Sequence, residues 1–245
     1  RLAVRRLDDQ IQRLVRIRRV HHAESAPVTG DALAIAWRTV SLAALATLVM
    51  LPPGIALAWI LARRQFPGRA MLETLVSLPL VMPPVATGLM LLWVFGRRGP
   101  LGGPLSQLGI DVMFTWRAVV LSGAVMGLPL LVRAARAGFE QVDRRYEEIA
   151  GTLGASPRRV FLTISLPLAK RGVLAGALLG FSRALGEFGA TIMVAGALPS
   201  TRTIAVAIYS YTETGREAAA TTMLAVSASI AFGALLLSNR FASSA

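Results

Sequence analysis

The sequence has 245 residues, 54% of them hydrophobic, and a formal net charge of +13. That apolar share exceeds the value for a soluble domain, which is about 45–50% even with glycine included. Length alone would allow one or two soluble domains, but the long apolar runs indicate one integral membrane domain. These residues include no cysteine, which excludes a disulfide or a thiolate metal site among them. The adjacent His21 and His22 lie outside the apolar runs, so no metal site is expected.

Residues 1–31 are interpreted as a basic N-terminal tail and linker. The first part is rich in arginine and also carries spaced apolar residues, which predicts either a basic amphipathic helix on a membrane surface or a poorly ordered tail. It lacks the apolar core of a signal peptide. The last six residues, 26–31, are expected to be a linker.

Residues 32–240 are predicted to form a single transmembrane domain, followed by a short tail at 241–245. A spanning helix requires about 20 mostly apolar residues. Five segments meet that requirement, and the stretches 96–115 and 199–217 between them are predicted to be loops. The five predicted spans are 33–62, 71–95, 118–135, 173–197 and 218–237.

A polar, helix-forming stretch at about 138–168 separates the third and fourth spans. Its first half is predicted to be a helix, because apolar residues recur at steps of three and four. Gly154 is expected to end that helix in a left-handed conformation, and Ser156 and Pro157 have the chemistry of an N-cap and a first helical position. The apolar positions expected to share a face in the first helix are Phe139, Val142, Tyr146, Ile149 and Leu153, and those in the second are Val160, Phe161, Ile164 and Leu168.

This stretch resembles the EAA loop of ABC importer permeases, with one departure at Ile149. The matching positions are Glu148, Ala150, Gly154, Ile164, Leu166 and Pro167. The resemblance implies a cytoplasmic coupling hairpin that docks on an ATPase subunit, with Ala155, Ser156, Pro157 and Arg158 at the same contact.

The fourth span begins with Gly172, Gly176 and Gly180, and glycine at every fourth position predicts close packing against another helix. Arg183 and Glu187 follow, four residues apart, and are expected to share one helix face. Each charge is costly in hydrocarbon, so a wet, inward-facing position is expected at least for Glu187. A neutralising structural pair, a lining of the translocation path and a proton-relay role for Glu187 all remain open.

The segment SRALGEFGAT, from Ser182, resembles the corresponding segment of molybdate and sulfate ABC permeases, and residues 78–102 look most like the molybdate branch. The resemblance covers roughly residues 37–237. It implies an all-α type I importer permease in the cell (inner) membrane, a homodimer with two ABC ATPase subunits and an extracytoplasmic oxyanion-binding protein. The pathway or gate candidates are Arg183, Glu187, Phe188, Gly189, Pro83 and Pro84.

The arginine distribution predicts the orientation, because cytoplasmic loops are enriched in Arg and Lys. The coupling hairpin and the end of the fifth span are then cytoplasmic. Five spans leave the arginine-rich first residues outside, which predicts that an earlier span is missing or that this tail is not the native start. The cytoplasmic set is Arg63, Arg64, Arg69, Arg133, Arg136, Arg144, Arg145, Arg158, Arg159, Lys170, Arg171 and Arg240, and the opposite set is Arg97, Arg98, Arg117, Arg202 and Arg216.

The sequence has no P-loop motif, and Lys170 is its only lysine, so ATP and Mg²⁺ are expected to bind a partner ATPase rather than this chain. No catalytic motif is found, and no enzymatic activity is expected. An ion-coupled carrier using Glu187 is an alternative of another class, and sulfate or tungstate are alternative substrates. A DNA-binding helix-turn-helix is disfavoured, because its second helix would present Val160, Phe161 and Ile164 where polar base-reading residues are needed.

Overall fold

The computed structural model describes residues 28–243, with side chains described for residues 31–233. The basic tail and the first part of the predicted linker lie outside this range. Within it the chain is all α-helical, in line with the expected class. The helices are α1 (Val28–Arg63), α2 (Arg69–Val81), α3 (Pro84–Phe95), α4 (Gly102–Gln107), α5 (Trp116–Glu140), α6 (Arg144–Thr152), α7 (Pro157–Leu168), α8 (Lys170–Leu185), α9 (Gly189–Ala195), α10 (Ile204–Glu213) and α11 (Glu217–Ser243).

Two of these helices, α1 and α5, are each long and apolar enough to cross a membrane. The pair α2 and α3 has the required length and composition only together, with a bend of 116° between the two helices. The bend lies at Met82 and Pro83, because Pro83 and Pro84 have no backbone N–H to continue the helical hydrogen bonds. The pair α7 and α8 is likewise bent, by 73°, and the apolar part of α11 adds a shorter helix. These elements are consistent with a bundle of about five spans.

The centre of the bundle is α5, which packs between α1 and α8. Leu131 and Phe139 of α5 are fully buried in the core, and the Met50 side chain of α1 is buried in the same cluster as Leu131. Close approach to α8 depends on glycine. A Cβ on Gly172 would lie 2.5 Å from the Cα of Gly138.

Gly176 and Gly180 continue the same contact along α8. A Cβ on Gly176 would lie 2.7 Å from the carbonyl oxygen of Leu131, and one on Gly180 would lie 2.2 Å from the methyl group of Met50. The glycine groove of the fourth span is therefore filled by α5 and α1 of the same chain.

A second cluster joins the beginning of α1 to α10 and α11 through Ile35, Ile204, Tyr211 and Met223. The hydroxyl of Thr39 accepts a hydrogen bond from the backbone N–H of Ile204 at 2.9 Å. This cluster holds the last helices against the first span.

Several boundaries differ from the sequence expectation. The first helix begins at Val28, within the predicted linker, and the helix of the third span continues to Glu140 instead of ending at 135. The predicted loop 96–115 contains the short helix α4. The fourth span is not continuous, since the chain leaves the helix at Gly186 and resumes it at Gly189. The predicted loop 199–217 contains α10, which the side chain of Thr203 caps. This helix is mostly apolar and packs inward, and the polar residues of the segment lie mainly on either side of it.

Candidate functional site

The coupling hairpin consists of α6, a tight turn and α7. Gly154 has φ +85°, the left-handed conformation expected from the sequence. The N–H of Gly154 donates to the carbonyl of Gly151, and the N–H of Ala155 donates to the carbonyl of Ala150, both at 3.0 Å. This pair of bonds is a Schellman motif, which satisfies the carbonyls at the end of a helix. Gly154 thereby ends α6, and Ala150 accepts the outer closing bond.

Side-chain caps begin both helices of the hairpin. The Ser156 hydroxyl accepts from the N–H of Arg159 at 3.4 Å, and Pro157 takes the first position of α7, both as predicted. The Asp143 carboxylate accepts from the N–H of Arg145 at 2.9 Å and begins α6. The expectation that Phe139 and Val142 share a helix with Tyr146 is therefore wrong. The helix containing Phe139 ends at Glu140, and a new helix starts after the Asp143 cap.

The first helix of the hairpin presents apolar side chains to the outside. Tyr146 is 57% exposed, Ile149 58% and Leu153 83%, and α6 buries none of its residues. The neighbouring Glu148 is exposed as well. A short amphipathic helix with its apolar face uncovered is typical of a docking surface.

The second helix is fixed to the bundle by its apolar side. The Phe161 ring meets Trp59 of α1 edge-on, with centroids 5.4 Å apart, and stacks on Phe139 of α5 at 6.2 Å. Ile164 and Leu166 are half-buried on the same helix, while Pro167 is exposed. The predicted apolar face is thus only partly buried.

One carboxylate that sequence reasoning missed joins the hairpin to α1. Glu147 accepts from Arg63 Nε at 3.0 Å and from the Ser165 hydroxyl at 2.7 Å. Arg63 also donates to the carbonyl of Val142 at 2.9 Å. No local pattern indicates this link, because Arg63 and Glu147 are 84 positions apart in the chain.

The structure brings Arg183 and Glu187 together, with Arg183 Nη1 lying 2.6 Å from Glu187 Oε2. The other carboxylate oxygen accepts from the N–H of Ala190 at 2.7 Å, in the first turn of α9. The Glu187 side chain is only 2% exposed, so the expected wet position is wrong for the single chain. Beside it lies a cavity of about 10 Å³, room for about one water molecule. Glu187 lies beyond the end of α8, which explains its burial at the break between helices.

The breaks in the second and fourth predicted spans lie side by side. A Cβ on Gly189 would lie 2.7 Å from Pro84, so the first turns of α3 and α9 are in contact. The Phe188 ring packs on Tyr209 of α10, with centroids 5.1 Å apart. Pro83 is exposed at the start of α3. Five of the six pathway candidates therefore lie at this junction or in contact with it, and Arg183 reaches it through Glu187.

Opposite charges connect the loop between α3 and α5. Arg97 forms a two-point contact with Asp111, with its Nη2 3.0 Å from Oδ2 and its Nε 3.3 Å from Oδ1. This bond is the main cause that holds the pKa of the Asp111 carboxyl below its usual range. Beside the pair lies a cavity of about 670 Å³, lined in part by Trp93 and Phe114. The loop therefore has a folded, charged surface instead of a simple connection.

Residues 54–242 match the profile of one known protein family, described as "Binding-protein-dependent transport system inner membrane component". A relative from Escherichia coli strain K12, "Molybdenum transport system permease protein ModB", is 46% identical over 210 residues. That alignment covers 83% of this chain and 92% of the relative. The protein of the same name from Haemophilus influenzae is 48% identical over 178 residues, covering 72% of this chain and 78% of the relative.

Solved structures share the fold at low sequence identity. A chain of the inward-facing MetNI methionine ABC transporter matches with a TM-score of 0.65 and 14% identity, over 89% of this chain and 98% of that one. A chain of a bacterial ABC transporter that imports alginate matches with a TM-score of 0.63 and 19% identity, over 85% and 78% respectively. The expected all-α fold is confirmed by these likenesses.

Proposed function

The chain belongs to the family of binding-protein-dependent transport system inner membrane components, and we propose that it is the permease subunit of an ATP-driven importer that translocates molybdate. The observation that carries the substrate is the relative from Escherichia coli, which is named a molybdenum transport system permease protein and aligns over 92% of its length. The residues of the fourth span that resemble molybdate permeases support the same conclusion.

ATP hydrolysis is assigned to a partner subunit, which the coupling hairpin engages. The support is geometric. The α6 helix has an uncovered apolar stripe of Tyr146, Ile149 and Leu153, and its end is fixed by the Schellman turn at Gly154. The EAA positions Glu148 and Pro167 are exposed on the same hairpin, as are Ser156, Pro157 and Arg158. We expect this surface to lie in a groove of the ATPase, on the cytoplasmic side.

The complete importer is proposed to contain two copies of this chain, two ABC ATPase subunits and an extracytoplasmic binding protein that delivers the oxyanion. Substrate would pass near the junction of the broken helices, where Pro84, Glu187 and Gly189 meet. Backbone that leaves the helix at membrane depth is tolerated only inside protein or beside a cavity, which makes such breaks good pathway candidates.

The alternative of an ion-coupled carrier finds no support at Glu187. Its Oε2 forms an ion pair with Arg183 and its Oε1 accepts from the first turn of α9, so the charge of this carboxylate is already balanced within the chain. A coupling carboxylate has to bind and release its ion during transport. A carrier would also have no use for the exposed stripe of α6.

The test is to co-purify the chain with the neighbouring ATPase and binding protein and to reconstitute the complex in proteoliposomes. Molybdate delivered by the binding protein should stimulate ATP hydrolysis and accumulate inside, while Gly154→Val should reduce both. Sulfate and tungstate are the matched competitors. A complex that responds to sulfate and not to molybdate would overturn the substrate assignment, and uptake without any ATPase would overturn the importer itself.

A further inference from the structure

The first helix of the coupling hairpin has little apolar contact with the rest of the chain. None of the α6 residues is buried, and its large apolar side chains, Tyr146 and Ile149, are each more than half exposed. The second helix is different, since Val160 and Ser165 are buried and Phe161 packs between two spans. Apart from Val142, which is buried just before α6, the contacts available to set the position of α6 relative to the spans are polar.

The polar contacts converge on Glu147. Its carboxylate binds Arg63 in the last turn of α1 and Ser165 in α7, so a single side chain joins three helices. Arg63 also donates to the Val142 carbonyl, just before α6, and Arg144 donates to the Ala62 carbonyl at 3.4 Å. These four side chains form what we term the Glu147 joint: Arg63, Arg144, Glu147 and Ser165.

The ion pair at the centre of the joint is largely shielded from water, although Arg144 is exposed. The Arg63 side chain is 7% exposed and that of Glu147 is 18% exposed. Charge-assisted hydrogen bonds in such a site are stronger and less screened by salt than surface ion pairs. We expect such a contact to persist when α6 is displaced, whereas the exposed pair of Arg97 and Asp111, at the other end of the molecule, contributes little.

We propose that Glu147 is a positioning residue that makes α6 and α1 move as one body, so that displacement of the docked hairpin is transmitted to the first span. This inference rests on the proposed function, because it takes the ATPase as the subunit that displaces the hairpin. Glu148 next to it is exposed and faces outward, so the two adjacent carboxylates have separate tasks. Glu147 binds inward to the permease, and Glu148 remains available to the partner.

The variant that tests the joint is Glu147→Gln in the complete complex with its ATPase. Spin labels at Ala56→Cys in α1 and Thr152→Cys in α6 would report the distance between the two helices, in complexes diluted with unlabelled chain. Both positions are exposed, and the sequence has no other cysteine. The distance between the labels is measured in two states: without nucleotide, and with ATP bound to a hydrolysis-deficient ATPase.

In the parent protein the distance should be the same in both nucleotide states, because the helices move together. In Glu147→Gln it should change on ATP binding, because α6 follows the ATPase while α1 lags. A merely structural role would alter the distance equally in both states. An unchanged distance in Glu147→Gln, or a nucleotide-dependent distance in the parent protein, would overturn the proposal.

Transport provides the second readout. Uptake of molybdate per ATP hydrolysed should fall about tenfold in Glu147→Gln, the factor that corresponds to one lost hydrogen bond to a charged group. Arg63→Gln should give the same loss, and the double variant should be no worse than either single one. Equal uptake per ATP in the parent and in both variants would contradict the proposal.

The matched control is Arg136→Gln. Arg136 pairs with Glu73 at 2.6 Å and Glu140 at 2.7 Å, close to the same end of the bundle, but it does not touch the hairpin. In Arg136→Gln the distance between the labels should be the same with and without ATP, as in the parent protein. The distance measurement needs no transported substrate, so it decides the joint even if the parent complex fails to import molybdate, a failure that would reject only the proposed substrate.

Discussion

Gly154 has a conformation that a side chain would strain, and it has no neighbour that a side chain would strike. Its φ is +85°, and a Cβ placed there would meet nothing within 4 Å. We therefore expect Gly154→Val to destabilise the hairpin turn through the backbone alone, by about 1–2 kcal/mol. The protein should remain in the membrane but recover less ATPase on co-purification.

The control for this substitution is three residues away. Gly151 also has open space around it, but it lies inside α6 with ordinary helical backbone. Gly151→Ala should leave ATPase recovery unchanged, or raise it slightly through helix propensity. If Gly154→Val recovers as much ATPase as Gly151→Ala, the turn does not position the docking surface.

Glu187 is the second residue whose environment yields a prediction. Glutamine at this position can still accept from the Ala190 N–H, but it leaves Arg183 without its counter-charge. Breaking a buried pair costs roughly 3–5 kcal/mol, and the cost here should lie near the lower value because Arg183 is 26% exposed. The amount of folded permease should fall in Glu187→Gln, as measured by size-exclusion chromatography in detergent.

Restoring balance should reverse part of that loss. The double variant Arg183→Gln with Glu187→Gln removes both charges and should recover folded protein. Normal amounts of Glu187→Gln with reduced transport would instead assign the pair to the pathway. Normal amounts with normal transport would mean that neither role applies.

At the scale of elements, the contact between α5 and α8 depends on what faces each glycine. A Cβ on Gly176 would meet the backbone of Leu131, which cannot move aside. A Cβ on Gly180 would meet mainly the end of the flexible Met50 side chain. We therefore expect Gly176→Ala to lower the free energy of unfolding by about 1–3 kcal/mol, the usual cost of an overpacked site. Gly180→Ala should lower it less.

Thermal unfolding of the purified chain measures this difference. Leu174→Phe is the matched control, since Leu174 lies on the same helix two residues before Gly176 and is 62% exposed. Equal losses at Gly176 and Gly180 would show that the neighbour's flexibility does not matter. Because α5 belongs to the same chain, the defect should appear in the isolated subunit, before any assembly.

Features whose signal is local in the sequence agree with the structure. Gly154, Ser156 and Pro157 have turn and cap preferences that act within a few residues, and the structure agrees with each of them. The family resemblance is likewise confirmed by relatives that align over most of the chain. The bend at Pro83 follows from the missing backbone donors of proline.

Two helix boundaries and one distant contact were missed. The break at Gly186 contains no proline, and it is stabilised by the Glu187 carboxylate, which accepts from the backbone three residues further on in the first turn of α9. The α10 helix is mostly apolar and begins at the Thr203 cap, but the polar residues on either side of it favoured a loop prediction. The role of Glu147 requires the position of Arg63, which no local spacing provides.

At the scale of the whole molecule, charge divides the chain into two ends. Arg63, Arg136 and Arg144 form ion pairs or hydrogen bonds near the coupling hairpin. Arg97 and Arg117 instead gather around Asp111 in the loop between α3 and α5. Both ends carry arginine, so the orientation rests on the larger number at the hairpin end.

Labelling of single cysteines tests that orientation, because the sequence contains no cysteine of its own. Leu108→Cys lies on the Asp111 side and Gln65→Cys lies in the turn between α1 and α2, and both positions are exposed. A membrane-impermeant maleimide should react with Leu108→Cys in spheroplasts with an intact inner membrane, and with Gln65→Cys only after that membrane is permeabilised. The reverse pattern would place the coupling hairpin outside, where no cytoplasmic ATPase could reach it, and would overturn the orientation and the docking proposal together.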